Sequence, residues 1–155
     1  MSLDIGAIRE AVAKIVAERL APTSGALNVY GYPPDNPELD AVLVLPRPGE
    51  SGQYIDFHKS FEGADGVGGL CEIALSVEMR LGGPSIDAAR TMDIYLGTTD
   101  TTSILKALKS NLTLSSLVEN VHVQGATSPA RFATSPDDPR SWLACSWPIT
   151  VLARR

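Results

Sequence analysis

Within the segment QYIDFHKSF, Asp56 and His58 stand two positions apart. On a strand that spacing puts both side chains on one face, where a carboxylate can orient an imidazole and the imidazole can take a proton. A hydrolase built on the pair also needs a nucleophile held against the imidazole. Serines are plentiful in the chain, but no spacing positions one. In a segment this rich in aromatic residues, a DxH pair reads better as a surface or interface feature. The second histidine, His122, sits between Val121 and Val123 and is expected to point from a strand into solvent. Asp137 and Asp138, in SPDDPRSW, read as turn formers between strands. Cys71 and Cys145 have no metal-site or disulfide-framework spacing, and both fall on the apolar phase of expected strands, so buried free thiols are expected. The glycine cluster of GADGVGGL is followed by a strand pattern, whereas a phosphate-cradling loop opens a helix; it reads as a hinge. GxSxG, HExxH and CxxC do not occur. No catalytic, metal-binding or cofactor-binding residue is nominated.

The elements that must position these residues are organised around residues 71–81, CEIALSVEMRL. Cys71, Ile73, Leu75, Val77, Met79 and Leu81 alternate with Glu72, Ala74, Ser76, Glu78 and Arg80, the two-residue period of a half-buried central strand. Residues 5–20 show helical spacing through Ile5, Ile8, Val12, Ile15, Val16 and Leu20, with Arg9, Glu10, Lys14 and Glu18 opposite. Asp4 is placed to cap this helix, Glu10 to pair with Lys14, and Pro22 with Gly25 to stop it. Residues 28–32 and 41–45 read as short strands on either side of the proline-rich loop PPDNPELD. Residues 46–69 form the longest loop, an arm whose centre, 53–61, has strand character.

After the central strand, Ser85 opens a helix to Leu96 with Ile86, Ala89, Met92 and Leu96 as its buried stripe and Gly97 as its stop. Residues 98–102 read as a polar loop. Ile104, Leu105 and Leu108 mark a further helical segment, and 112–118 an irregular helical turn. Strands follow at 121–125 and 141–152. The last has Leu143, Cys145, Trp147, Ile149 and Val151 on one face, and Pro148 marks it as an edge or bulged strand. The fold expected is α+β: a mixed, mostly antiparallel sheet with helices on one face and a long hairpin-like arm.

The chain has 155 residues, 44% of them hydrophobic and 20% charged, which suits a single domain over 1–155 with a self-sufficient core. A formal net charge of -5 argues against tight phosphate binding but allows DNA to pass nearby. A basic, apolar leader is not evident at the N-terminus, and no stretch has the length of a membrane span, so synthesis and residence in a reducing cytoplasm are expected.

The succession LDIGAIREAVAKIVAERL, VYGYPPDNPELDAVLVLP, YIDFHKSF, CEIALSVEMRL with its helix, VENVHVQGATSPARF and WLACSWPITVL covers nearly the whole chain. In order and spacing it resembles the tail terminator proteins of long-tailed, siphovirus-type bacteriophages. The resemblance implies a structural virion protein at the head-proximal end of the tail, first present in the host cytoplasm. Its subunits form a hexameric ring that caps the tail tube, stops its polymerisation and joins it to the head-completion proteins. Partners would be further copies of the chain, the major tail tube protein and the head-tail connector proteins, with DNA passing through the lumen without specific binding and no membrane contact. The family carries no active residues to transfer. Tyr54, Asp56, Phe57 and His58 of the arm, and Glu78 and Arg80 of the polar strand face, are the candidate contacts. The alternatives are another neck component, such as a head-closure or head-tail joining protein, and a small cytoplasmic hydrolase or ligand-binding module using Asp56 and His58.

Overall fold

The structure, a computed structural model, describes residues 3–24, 27–57, 70–83, 85–97, 103–133 and 141–154. His58, Phe61, the glycine cluster before residue 70, the 98–102 loop, Gly25 and the pair Asp137 and Asp138 lie outside the described residues. The chain is α+β, and among the described residues it has three helices and a seven-stranded mixed sheet. Two long strands form the spine of that sheet. β4 (Leu70–Leu81) and β7 (Ser141–Arg154) pair antiparallel from Leu70↔Arg154 to Leu81↔Leu143. The alternation read from the sequence holds along both. Cys71, Ile73, Leu75, Val77, Met79 and Leu81 are at most 1% exposed, and Cys145, Trp147, Ile149, Val151 and Ala153 at most 2%.

Each outer edge of this spine is shared by two short strands. Along β4 lie β2 (Ala41–Pro46), reaching Leu75, and then β3 (Ile55–Phe57), which covers Cys71 to Ile73. Along β7 lie β5 (Asn120–Val123) and β6 (Ala130–Ala133). β1 (Asn28–Tyr30) pairs parallel with β2 and closes one side. β6 was not apparent in the sequence, because ARFA is too short and too polar in context to show a period.

α1 (Ile5–Ser24) starts where Asp4 caps it, its Oδ1 accepting from the Ala7 N–H at 2.9 Å. Ile8, Val12, Val16 and Leu20, at most 1% exposed, join the β2 residues Val42 and Val44 in the core. Three expectations for this helix are corrected. Lys14 pairs with Glu18 at 3.8 Å, not with Glu10. The helix runs through Pro22 to Ser24, so Pro22 does not stop it. Arg9, assigned to the solvent side, is 9% exposed.

α2 (Ser85–Leu96) buries Ala88, Met92 and Tyr95, while Ile86 is 67% exposed and Ala89 is exposed. The expected stripe through Ile86 and Ala89 is therefore rotated. Apolar residues occur around most of this helix, so two stripes through Met92 satisfy the helical period and packing on the sheet selects one. α3 (Ile104–Lys109) is capped by Ser103, whose Oγ accepts from the Lys106 N–H at 3.1 Å. All three helices contribute to one core cluster with the odd-numbered face of β4 and β7.

Residues 112–118 are not a helical turn. Leu114, Ser115 and Ser116 are left-handed, with φ of 47°, 58° and 71°, and each such residue costs about 1–2 kcal/mol. Asn111 holds the turn, its Oδ1 accepting from the Ser115 N–H at 3.0 Å and its amide donating to Ser115 Oγ at 3.0 Å, while Leu114 is buried. Pro148 does not mark an edge, since β7 is flanked on both sides. Its carbonyl accepts from the Gln124 N–H at 3.0 Å, and the next bond along that edge is Thr127 N–H to Ser146 O at 2.8 Å. The N–H that proline lacks would face the same side as its carbonyl, into the gap where the chain passes from β5 to β6, so no ladder bond is lost within a strand.

Candidate functional site

With all three helices on one side, the other face of the sheet is left without a helix among the described residues. Glu72, Ser76, Glu78 and Arg80 of β4 are half-buried on it, as are Trp142, Ser146, Pro148 and Thr150 of β7. Ala41, Leu43, Ala74 and Ala144 on this same face are nevertheless at most 4% exposed. Arg80 stands in register between Ala41 and Ala144, whose small side chains leave its guanidinium room to lie along the sheet. There its Nε is 2.6 Å from Glu78 Oε2, and its guanidinium carbon is 5.1 Å from the Trp142 ring centroid. Trp142 is the cross-strand partner of Phe132, which is 49% exposed. The two nominated residues of the polar strand face thus belong to a patch with two aromatic residues that the sequence reading had not joined to them. Trp and Arg dominate the energetic centres of protein interfaces.

A second polar side chain crosses this face. Arg47 donates from Nε to Leu75 O at 2.7 Å, and from Nη2 to Ile149 O at 2.9 Å and Thr150 Oγ1 at 3.1 Å. It ties the end of β2 to both spine strands and so fixes the loop that follows. That loop turns at Gly49 to Gln53, where Gly52 has a φ of +82° that a side chain would resist. It forms one wall of a cleft of about 200 Å³ that Glu50, Ser51, Gln53, Asp56, Glu72, His122, Gln124 and Thr150 line.

Asp56 is the cross-strand partner of Glu72, and His122, exposed as expected, is the partner of Thr150. The histidine brought to Asp56's cleft is therefore His122. His58, which the sequence paired with Asp56, lies outside the described residues. A serine, an imidazole and a carboxylate share the cleft, but no hydrogen bond joins Ser51, Asp56 and His122, so the nucleophile-to-base contact that acyl transfer requires is not formed. No group of three or more potential metal ligands occurs among the described residues.

Tyr54, one of the candidate contacts of the arm, is half-buried against its own chain. Tyr54 and Ile55 pack against the core of their own chain, and the Tyr54 carbonyl accepts from the Ala74 N–H of β4 at 2.9 Å. Burial raises the Tyr54 phenol above its ordinary value of 10, and the charge of Arg9 pulls the other way. The Tyr54 hydroxyl is buried without a well-formed hydrogen bond. Arg9 itself donates from Nε to Gly31 O at 3.0 Å and from Nη2 to Val44 O at 2.7 Å, under the Tyr32 ring at 4.1 Å. Phe57, by contrast, is 44% exposed. Both cysteines are buried free thiols, as expected. Cys145 donates to Thr127 O at 3.2 Å, and burial pushes its pKa up to about 11.

No protein-family model matches this chain, and no curated protein matches it significantly. No helix among the described residues is long and apolar enough to cross a membrane.

Proposed function

We propose that this protein is a tail terminator of a siphovirus-type phage, a subunit of a hexameric ring that caps the tail tube, stops its growth and offers its far side to the head-completion proteins. The observation that carries the reading is the helix-free sheet face, where Trp142, Phe132, Arg80 and Glu78 form an aromatic and charged patch over buried alanines. Such a patch suits a protein that works by being covered, and the likeness of element order to tail terminators supplies the particular assembly. The same features suit a head-closure or head-tail joining subunit, and binding to purified tail tubes separates the two, since only a terminator caps them.

The test is native mass spectrometry across a wide concentration range, with a tube-growth assay using the major tail tube protein. Sixfold species and tubes arrested at defined length support the proposal. Monomers at every concentration, with tubes that grow unchecked, overturn it.

A second reading, a small hydrolase, has in its favour the cleft that Ser51, Asp56 and His122 share. It requires the loop carrying Ser51 to close on His122 when substrate binds. Turnover of a small activated ester that is lost in His122→Ala and Ser51→Ala with the fold intact would establish it.

A further inference from the structure

The patch of Arg80, Trp142 and Phe132 lies towards one end of the sheet, and a loop of matching chemistry lies at the other. Asn28, Ala41, Arg80, Ala144 and Ala130 stand in one row across β1, β2, β4, β7 and β6, which separates β1 from β6 by roughly 19 Å at the usual strand spacing. The loop that joins β1 to β2, residues 31–40, contains neither helix nor strand, and Pro34, Asp35 and Asn36 are exposed in succession at its tip. Its base is anchored where the Tyr32 ring covers Arg9 at 4.1 Å. Pro33, Pro34 and Pro37 fix their own φ and hold the residue before each of them extended. The loop therefore has little chain entropy to lose in a contact. It carries no lysine or arginine, and while Asp40 Oδ1 accepts from the Gly82 N–H, Asp35 and Glu38 are exposed. On the open sheet face, Phe132 borders a hollow of about 70 Å³ lined also by Ala130, Ala144, Glu78, Ser128 and Ser146. Small-molecule sites span about 300–1,000 Å³, so this hollow has the size for one side chain. Arg80 gives its Nε to Glu78, and its other N–H groups make no hydrogen bond among the described residues.

We infer that the proline-rich loop of one copy of this chain docks on the aromatic patch of the next, with Pro34 against Phe132 at the hollow and Asp35 accepting from the free N–H groups of Arg80. Aromatic side chains on an exposed surface receive prolines because a stiff, extended proline segment offers a flat apolar ring and costs little to order. The occupant is a second copy because one sequence supplies both halves: an aromatic pair with an arginine that has N–H groups to give, and an acidic proline loop with no base of its own. Glu78 offsets part of the Arg80 charge, so the acid fixes direction while the aromatic pair supplies the contact area. Platform and loop at opposite ends of one sheet make a head-to-tail contact, which repeats until the rotation closes a ring. The contact also covers Phe132, otherwise left 49% exposed. It rests on the ring reading above and assigns that ring's seam.

The test compares assembly of full-length variants by native mass spectrometry. Phe132→Glu, and separately Pro34→Gly with Asp35→Lys, should each raise the concentration needed for assembly at least tenfold. Phe132, Pro34 and Asp35 are exposed, so the urea midpoint of the monomer should not move. A second measurement does not depend on how those variants fold. Chains carrying both Asp35→Cys and Phe132→Cys should give a covalent ladder with a short bismaleimide. Either substitution alone should give none, because a head-to-tail contact never brings two copies of one position together and the native cysteines are buried. Mixing the two single-cysteine chains one to one should restore crosslinking, as unlike pairs only. Wild-type rings whose variants assemble unchanged, or that yield no ladder, overturn this seam and leave the ring standing. A wild-type chain that never assembles removes the ring reading and the seam together.

Discussion

Arg9 shows what one residue contributes here. β1 ends at the pair Tyr30↔Leu43, so the Val44 carbonyl one residue further along β2 has no strand partner on that side, and Arg9 reaches it from α1. With the Gly31 carbonyl it makes two charge-assisted bonds in a site 9% exposed. Arg9→Met should lower stability by about 2–4 kcal/mol in urea unfolding, because two carbonyls are left unpaired in a buried place. Arg9→Lys should recover less than half of that, since an ammonium cannot serve both carbonyls and stack under Tyr32.

Cys145 gives a residue-scale pH dependence. Its thiol titrates near 11 in the folded chain against an ordinary value of 9. Between those values the folded protein holds a proton that the unfolded chain releases, so the thiol's contribution is complete below pH 9 and is lost as pH rises through 11. The raised phenol of Tyr54 acts in the same direction. Unfolding midpoints should therefore fall over pH 9 to 11, and the fall should be shallower in Cys145→Ala. At pH 8 both thiols should react with alkylating agents only after unfolding.

Among the elements, β3 changes the account of the arm most. Glycine at both ends and aromatic residues between suggest a segment ordered only by a neighbour, yet backbone pairing from Ile55↔Ile73 to Phe57↔Cys71 makes β3 a part of the sheet. Tyr54 and Phe57 should then behave differently. Tyr54→Ala should destabilise the monomer by about 1–3 kcal/mol through lost core packing. Phe57→Ala should leave the urea midpoint within about 0.5 kcal/mol of wild type and weaken assembly if the segment is a contact. A large loss of monomer stability in Phe57→Ala would place it with the core as well.

At the scale of the whole molecule, the fold separates a packed side from an open one. Helices, the odd-numbered residues of β4 and β7 and the even-numbered residues of β2 form one core, and the residues between them face the side that no described helix covers. The net charge of -5 bears on function at this scale alone. A ring through which DNA passes must not hold it, and an acidic chain repels phosphate. Filter binding or fluorescence anisotropy with duplex DNA at physiological salt should show a Kd no tighter than about 10⁻⁴ to 10⁻⁶ M. Tight binding that weakens steeply with salt would contradict the lumen proposed for it.

The sequence by itself determined the elements whose residues repeat with one dominant period. β4 and β7 were legible because alternation over twelve or more residues admits one register, and a slip of one residue would turn every buried side chain outward. The cap Asp4 and the buried state of both cysteines depend on local pattern in the same way. Decisions between locally equal options waited for tertiary structure. Met92 belongs to two possible stripes of α2, and contact with the sheet chose Ala88 and Tyr95 over Ile86 and Ala89. Arg9 looked like a solvent residue because its acceptors, Gly31 and Val44, are 22 and 35 positions away. The joining of Arg80 to Trp142, and of Asp56 to the cleft of His122, likewise follows from strand order. Periodicity along one strand records which face a side chain occupies, and only the pairing of strands decides what stands beside it.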